Sequence, residues 1–230
     1  LQVPLGSGEC ARIFTGAPLP AGADAILIQE DAVRDQEIVT APAITSGRHV
    51  RAAGVDFRAG ERVLAAGVTL DAVAIALAAT LGRAALNVSR RPRVAVLGGG
   101  DELVAPGDTP LADQIFDSMS FGVAALVEQW GGEASTVPPM KDRAPVVAKA
   151  IAETLAASNL TVIIGGASVG DHDHARPALR ELGGELLFEK ISLRPGKPTW
   201  FARIGENLVL GLPGNPASAM VCARLFLRPL

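Results

Sequence analysis

Four short loops carry most of the residues able to do chemistry in this 230-residue chain. "GGGDEL" (98–103) sets Asp101 and Glu102 behind three glycines, and "GGASVGDHD" (165–173) sets Asp171 and Asp173 in a second acidic loop. "RPGKP" (194–198) holds Arg194 and Lys197 in a proline-bounded loop, and "GLPGNPAS" (211–218) puts two prolines, two glycines, an asparagine and a serine into one turn. Carboxylates in neighbouring loops offer the oxygen ligands that a hard cation such as Mg2+ takes together with phosphate. Cations pinned between prolines grip an oxyanion at reduced entropic cost. Pro213 and Pro216 stiffen the turn, and Gly214 admits an unusual backbone angle. Asn215 and Ser218 stand at a helix start, where free N–H groups favour an anion. Each loop also has a plainer reading: a capped turn at 211–218, a solvated surface turn at 194–198, and capping or solvated clusters for the acids.

Other chemistries fit less well. "GASVG" (166–170) matches a nucleophile-elbow pattern around Ser168. The histidines downstream, His172 and His174, follow too closely for the late-histidine layout of a hydrolase. "DHDH" (171–174) lacks the usual zinc spacing, and His49 stands alone and reads as structural. "GGGDEL" fits neither a dinucleotide fingerprint nor a phosphate-binding P-loop.

The elements that must position these loops are clearest from residue 92 onward. "RVAVLG" (93–98), "ASTVP" (134–138), "LTVIIGG" (160–166), "LLFEKIS" (186–192), "TWFARI" (199–204) and "NLVLGL" (207–212) read as strands, with "GE" (205–206) as a hairpin turn. Helices are predicted after Ser118, ending at Gly131 and Gly132; at 145–158, capped by Asp142; at 175–182; and at 217–227. This alternation predicts an α/β fold, a mostly parallel sheet in three layers, with ligands at the carboxyl ends of the strands. Three of the loops fall at such ends; the side taken by 194–198 is open. Glycines such as Gly99, Gly100, Gly166 and Gly196 would let the loop backbones approach a ligand closely. Before residue 92, "DAILIQ" (24–29) and "GERVLAAG" (60–67) suit short strands. Asp71 caps an apolar helix over 72–81, stopped by Gly82, which should be buried or packed between domains.

Composition bounds the partners. Hydrophobic residues make up 49% and charged residues 20%, and the formal net charge is −3. No basic excess points to nucleic acid or an anionic membrane. Cys10 and Cys222 form no CxxC pair and read as buried small hydrophobes in a reducing compartment, which suits the cytoplasm. No stretch offers the roughly 18 uncharged apolar residues of a membrane span. The chain begins at Leu1 without a leader pattern, as expected of a piece of something longer.

"ARIFTGAPLPAGADAILIQED" (11–31), "GGGDEL", "GGASVGDHD", "RPGKP" and "GLPGNPASA" (211–219) occur here in one order. Together they resemble the molybdopterin molybdenumtransferases, the molybdenum insertases of the MoeA and gephyrin E-domain type, over nearly the whole chain. The resemblance implies a Mg2+-dependent enzyme that inserts molybdate into adenylylated molybdopterin and releases AMP. It implies a homodimer, with a molybdopterin adenylyltransferase as pathway partner. Residues 1–57 would be part of a β-rich domain, 58–91 a linker segment, and 92–230 the α/β molybdopterin-binding domain.

Carried over by motif, Asp56, Glu102, Asp173 and Lys197 would be catalytic. Asp101, Glu102, Asp171 and Asp173 would hold the metal. Thr15 would lie on the facing β-rich domain. Ser168, Lys197 and Ser218 would contact the pterin phosphate or molybdate. Ser118, Arg194 and the glycines and turn residues named above (Gly99, Gly100, Gly166, Gly196, Pro213, Gly214, Asn215 and Pro216) would complete the substrate-binding set. Met119 stands where the family usually has asparagine, and Arg194 where lysine is common. The family's "DGYA"-type segment and C-terminal β-barrel are absent from the sequence, which predicts a chain that folds without completing insertion alone. A gephyrin-like peptide-binding scaffold and a molybdopterin adenylyltransferase are the alternatives. The charged loops favour an enzyme over a scaffold, and "RIFTGAP" disfavours the adenylyltransferase.

Overall fold

The computed structural model describes residues 4–166 and 174–230, and the chain divides into two units, Leu1–Leu86 and Asn87–Leu230. Ser168, Asp171, His172 and Asp173 lie outside the described residues.

The first unit has little regular structure. Strands β1 (Val33–Asp35) and β2 (Ile38–Thr40) form an antiparallel hairpin, and α1 spans Ala72–Thr80. The expected strands at 24–29 and 60–67 do not form. Asp71 caps α1 as expected, accepting from the Ala74 N–H at 2.8 Å, and Gly82 follows at φ +73°. The helix is not buried, however. Only Ala74 and Ala78 are, while Val73 and Ile75 are 75% and 56% exposed. The small alanines permit close approach on one face, and the branched residues on the other meet no partner within the described unit.

The second unit is the expected α/β fold. In chain order it contains β3 (Arg93–Gly99), β4 (Leu103–Val104), β5 (Ile115–Phe116), α2 (Met119–Gln129), β6 (Glu133–Met140) and α3 (Ala144–Ala157). Then follow β7 (Leu160–Ile164), α4 (Ala175–Glu181), β8 (Glu185–Phe188), β9 (Trp200–Ile204), β10 (Asn207–Leu212) and α5 (Pro216–Cys222), which passes into a π-helical turn over Ala223–Leu227. Six strands pair in the order β6-β3-β7-β10-β9-β8. The first four are parallel, and β9 and β8 continue antiparallel. Pro138 and Pro139 lie in β6, an edge strand, where a missing ladder donor is tolerated.

Alternation along the parallel strands builds the two core layers. Val94, Val96, Val162, Ile164, Leu210 and Leu212 face α2 and α5; Ala95, Leu97, Ile163 and Val209 face α3 and α4 together with Trp200. At Gly211 a Cβ would enter the indole of Trp200, its register partner across β9 and β10, so only glycine fits there. Because β9 runs antiparallel to β10, its start lies at the same edge as the carboxyl ends of β3, β7 and β10. The loop 194–198 therefore joins the other three at one edge of the sheet.

Candidate functional site

The glycines at this edge bring the strand ends together. A Cβ at Gly165 (φ +82°) would meet the Gly99 carbonyl at 2.5 Å, and one at Gly214 would lie 3.4 Å from the Gly165 Cα. The loops after β3, β7 and β10 thus touch backbone to backbone, which side chains would prevent. Around them opens a cavity of about 480 Å3, lined by Gly98, Gly99, Gly100, Glu102, Asp117, Ser118, Met119 and Asp142 on one side and Gly165, Gly166, Pro213, Gly214, Asn215, Pro216 and Ser218 on the other. Leu103, Ile115 and Phe116 add an apolar wall. The size suits a small-molecule ligand.

The acidic loop is fastened along its length. Gly100 donates to the Met140 carbonyl at 3.1 Å, Ile115 to the Glu102 carbonyl at 2.8 Å, and Lys141 Nζ to the Asp101 carbonyl at 3.0 Å. The Glu102 carboxylate occupies the space where a Cβ on Gly100 would stand. Asp142, expected to cap α3, does not: Arg143 holds the N-cap position without a side-chain cap. Its N–H donates to Asp101 Oδ1 at 3.2 Å, and its carboxyl joins the cavity wall. Burial, then the Asp101 and Glu102 charges, push the Asp142 carboxyl above its ordinary value; His174 and the Asp101 backbone pull the other way.

Asp117 is a second acid that the sequence reading missed. It is 3% exposed, and its Oδ1 accepts from the Ser120 N–H at 3.1 Å. It therefore caps the start of α2, where Ser118 makes no side-chain cap bond. A Cβ on Gly98 would meet Asp117 Oδ2 at 2.6 Å and Ser120 Oγ at 2.9 Å. Ser120 Oγ is buried and has no hydrogen-bond partner among the described residues. The signal available in the sequence was an aspartate three residues before a serine at a helix start.

The turn 213–218 is a capped turn as well as a cavity wall. Asn215 Oδ1 accepts from both the N–H and the hydroxyl of Ser218, at 3.2 and 3.3 Å. The Ser218 N–H is thus already used, and it is not one of the free donors expected at this helix start. Arg194 and Lys197 are exposed and do not line the cavity. With Lys190, Ser192 and the apolar Ile191 and Leu193 they line a depression of about 360 Å3, while Pro198 reaches the cavity. Gly196, between the two, is buried.

Thr15 and Asp56 belong to the first unit, and both are exposed. Asp56 accepts from Arg51 Nη2 at 2.5 Å. Of the four expected metal ligands, Asp101 and Glu102 are adjacent in the described acidic loop. No group of three or more His, Cys, Asp or Glu placed to hold a metal occurs among the described residues, and none of their helices is long and apolar enough to cross a membrane.

Two family models match this chain: a probable molybdopterin binding domain over residues 95–230, and the MoeA N-terminal region (domain I and II) over residues 2–82. Among curated proteins, the molybdopterin molybdenumtransferase of a Nostoc species is 36% identical over 98% of this chain and 53% of its own length. That of Haemophilus influenzae is 34% identical over 97% of this chain and 56% of its own. The chain thus spans about half the length of the curated relatives it matches. A molybdopterin biosynthesis MoeA protein from Pyrococcus horikoshii superposes with a TM-score of 0.76 at 32% identity, covering 100% of this chain and 57% of that one. The cavity at the sheet edge lies wholly within the segment matched as molybdopterin-binding. The chain belongs to the molybdopterin-binding domain family, here following a MoeA N-terminal region.

Proposed function

We propose that this chain is the substrate-holding part of a molybdopterin molybdenumtransferase. It would act in Mg2+-dependent insertion of molybdate into adenylylated molybdopterin with release of AMP. The observation that carries the reading is the arrangement at the sheet edge. An acid-walled cavity stands beside a depression lined by three cationic side chains, Lys190, Arg194 and Lys197. A nucleotide-linked pterin and an oxyanion need such a division: acids and a cation for the phosphates, fixed positive charge for molybdate.

The donor set fits Mg2+. Asp101 and Glu102 present oxygen only, and the Glu102 carboxylate rests over the Gly100 backbone. Mg2+ commonly takes one or two carboxylates and fills its shell with phosphate and water. Glu102 and Asp101 would hold it, with Asp171 and Asp173 proposed as further ligands. Bound there, it would supply charge neutralisation at the phosphoanhydride.

The chain's own residues would bind and orient. Phe116 and Ile115 offer an apolar face to a planar ring, and the turn 213–216 confines the ligand on the other side. Lys197 and Arg194 would hold molybdate by charge, where the dithiolene sulfurs can receive it. Catalysis is then mainly alignment and preorganised charge. Thr15 and Asp56 would act from the β-rich region, and Asp56 must first exchange its Arg51 partner. The enzyme would be a cytoplasmic homodimer supplied by a molybdopterin adenylyltransferase. Incubating the protein with adenylylated molybdopterin, Mg2+ and molybdate tests this. AMP release that depends on both Mg2+ and molybdate in a version extended at both ends supports the reading, and molybdate-independent AMP release or none from that version refutes it, while this chain alone should bind AMP with Mg2+ without completing insertion.

A further inference from the structure

Arg194 and Lys197 are exposed, yet the backbone that carries them is anchored to buried groups. Thr199 and Cys222 are both fully buried beneath the loop. The Thr199 hydroxyl can donate to the Gly196 carbonyl at 2.7 Å or to Cys222 Sγ at 3.2 Å, and the Thr199 N–H donates to the same carbonyl at 3.0 Å. Gly196 stands at φ +127°, and a Cβ there would fall on Cys222 Sγ, with Leu193 Cδ2 next at 3.3 Å. The loop backbone therefore rests directly on the thiol. On the other side, Ile191 donates to the Lys197 carbonyl at 3.1 Å.

Cys222 is the last residue of α5, whose first turn carries Pro216 and Ser218 of the cavity wall. One helix thus holds the turn 213–218 at one end and the cation loop at the other. We infer that Thr199 and Cys222 are positioning residues, which set the Arg194–Lys197 cations at a fixed distance from the cavity through α5. Neither faces the cavity or the depression, so neither would touch substrate. The inference rests on the proposed oxyanion role of Lys197. It adds a requirement: charge alone is insufficient, because a loop free to sway loses the advantage of preorganisation.

The test uses tungstate as the oxyanion probe and AMP with Mg2+ as the cavity probe, with both affinities and the melting midpoint measured for each variant. Lys197→Met should weaken tungstate binding roughly 10- to 100-fold and leave AMP binding intact. Thr199→Val should weaken tungstate about 3- to 10-fold, the scale of one net hydrogen bond, with AMP affinity within about twofold. Thr199→Ser should restore tungstate binding, and Cys222→Ala should weaken it while Cys222→Ser recovers most of the loss. Hydrogen exchange at the amides of residues 196–199 should rise in Thr199→Val and Cys222→Ala, which keeps the inference testable if one variant folds poorly. Wild-type tungstate affinity and exchange in both variants, with Lys197→Met still defective, overturns the positioning role alone. Equal weakening of tungstate and AMP also overturns it, because that marks general destabilisation. Unchanged tungstate binding in Lys197→Met refutes the oxyanion reading, and the inference falls with it.

Discussion

Replacing Gly98 by alanine should damage the site through the two buried groups that pack against it. The added Cβ would lie 2.6 Å from Asp117 Oδ2 and 2.9 Å from Ser120 Oγ, both in buried side chains at the start of α2. Ser120 is fully buried and Asp117 can yield only towards the cavity it lines, at the expense of its cap, so β3 or the helix start must shift. Overpacking of this kind costs about 1–3 kcal/mol, and losing the Asp117 cap on the Ser120 N–H about 0.5–2 kcal/mol. Because displacing Asp117 relieves part of the clash, the combined loss should be about 2–4 kcal/mol. For a unit of this size that lowers the melting midpoint by roughly 6–12 °C. Gly99→Ala is the control: its Cβ would have no neighbour closer than 3.8 Å, so the fold should hold within about 1 kcal/mol. Adding Ser120→Ala to Gly98→Ala should recover part of the loss, since it removes an orphaned hydroxyl as well as a clash. Calorimetric melting of the four proteins decides the matter. If Gly98→Ala melts with the wild type, or loses no more than Gly99→Ala, the close packing of β3 on Asp117 is not what holds the helix start.

Other outcomes follow from the same geometry. The Asp142 carboxyl binds its proton more tightly folded than unfolded, so its ionisation removes stability as pH rises through and above the ordinary value of 3.8. Asp142→Asn should therefore stabilise the protein at pH 7, and the gain should vanish below that value in a pH series of melting curves. Lys197→Met should weaken molybdate binding roughly 10- to 100-fold, the scale of a charge-assisted contact of about 1.5–3 kcal/mol, and titrations at several salt concentrations should show a shallower dependence than the wild type. The Arg51–Asp56 pair is exposed on both sides, so Asp56→Asn should change stability by less than about 1 kcal/mol; a larger change by denaturant titration would show that the pair is structural.

The α/β region was legible because its signals agree. Apolar runs such as 93–98 and 160–164 run into glycines, and a helix with buried apolar positions follows each before the next strand of the main sheet. The first unit was not. The runs at 24–29 and 60–67 are apolar enough for strands, but a strand needs a ladder partner, which no local pattern reports. The hairpin that does form turns through Gln36 at φ +53°, without the glycine or asparagine that announces such a turn. At the site, the acidic loop and the proline turn were readable from their composition. Asp117 and Asp142 were not, because an aspartate before a helix reads as a cap whether or not it also faces a cavity. The separation of Lys197 from the cavity was hidden for a different reason. Its loop, whose side of the sheet the sequence left open, lies at the same edge, but the buried Gly196 and Thr199 turn its cations away, and that depends on Cys222, 25 positions along the chain.

The central claim is that the cavity after β3, β7 and β10 holds the nucleotide-linked ligand while the Lys190–Arg194–Lys197 depression holds the oxyanion. Crystals soaked with AMP, Mg2+ and molybdate, measured at the molybdenum absorption edge, test it directly. A molybdenum peak within contact distance of Lys197 and nucleotide phosphate density against Glu102 and the turn 213–218 are expected. Molybdenum inside the acid-walled cavity, or nucleotide bound away from these loops, would contradict it.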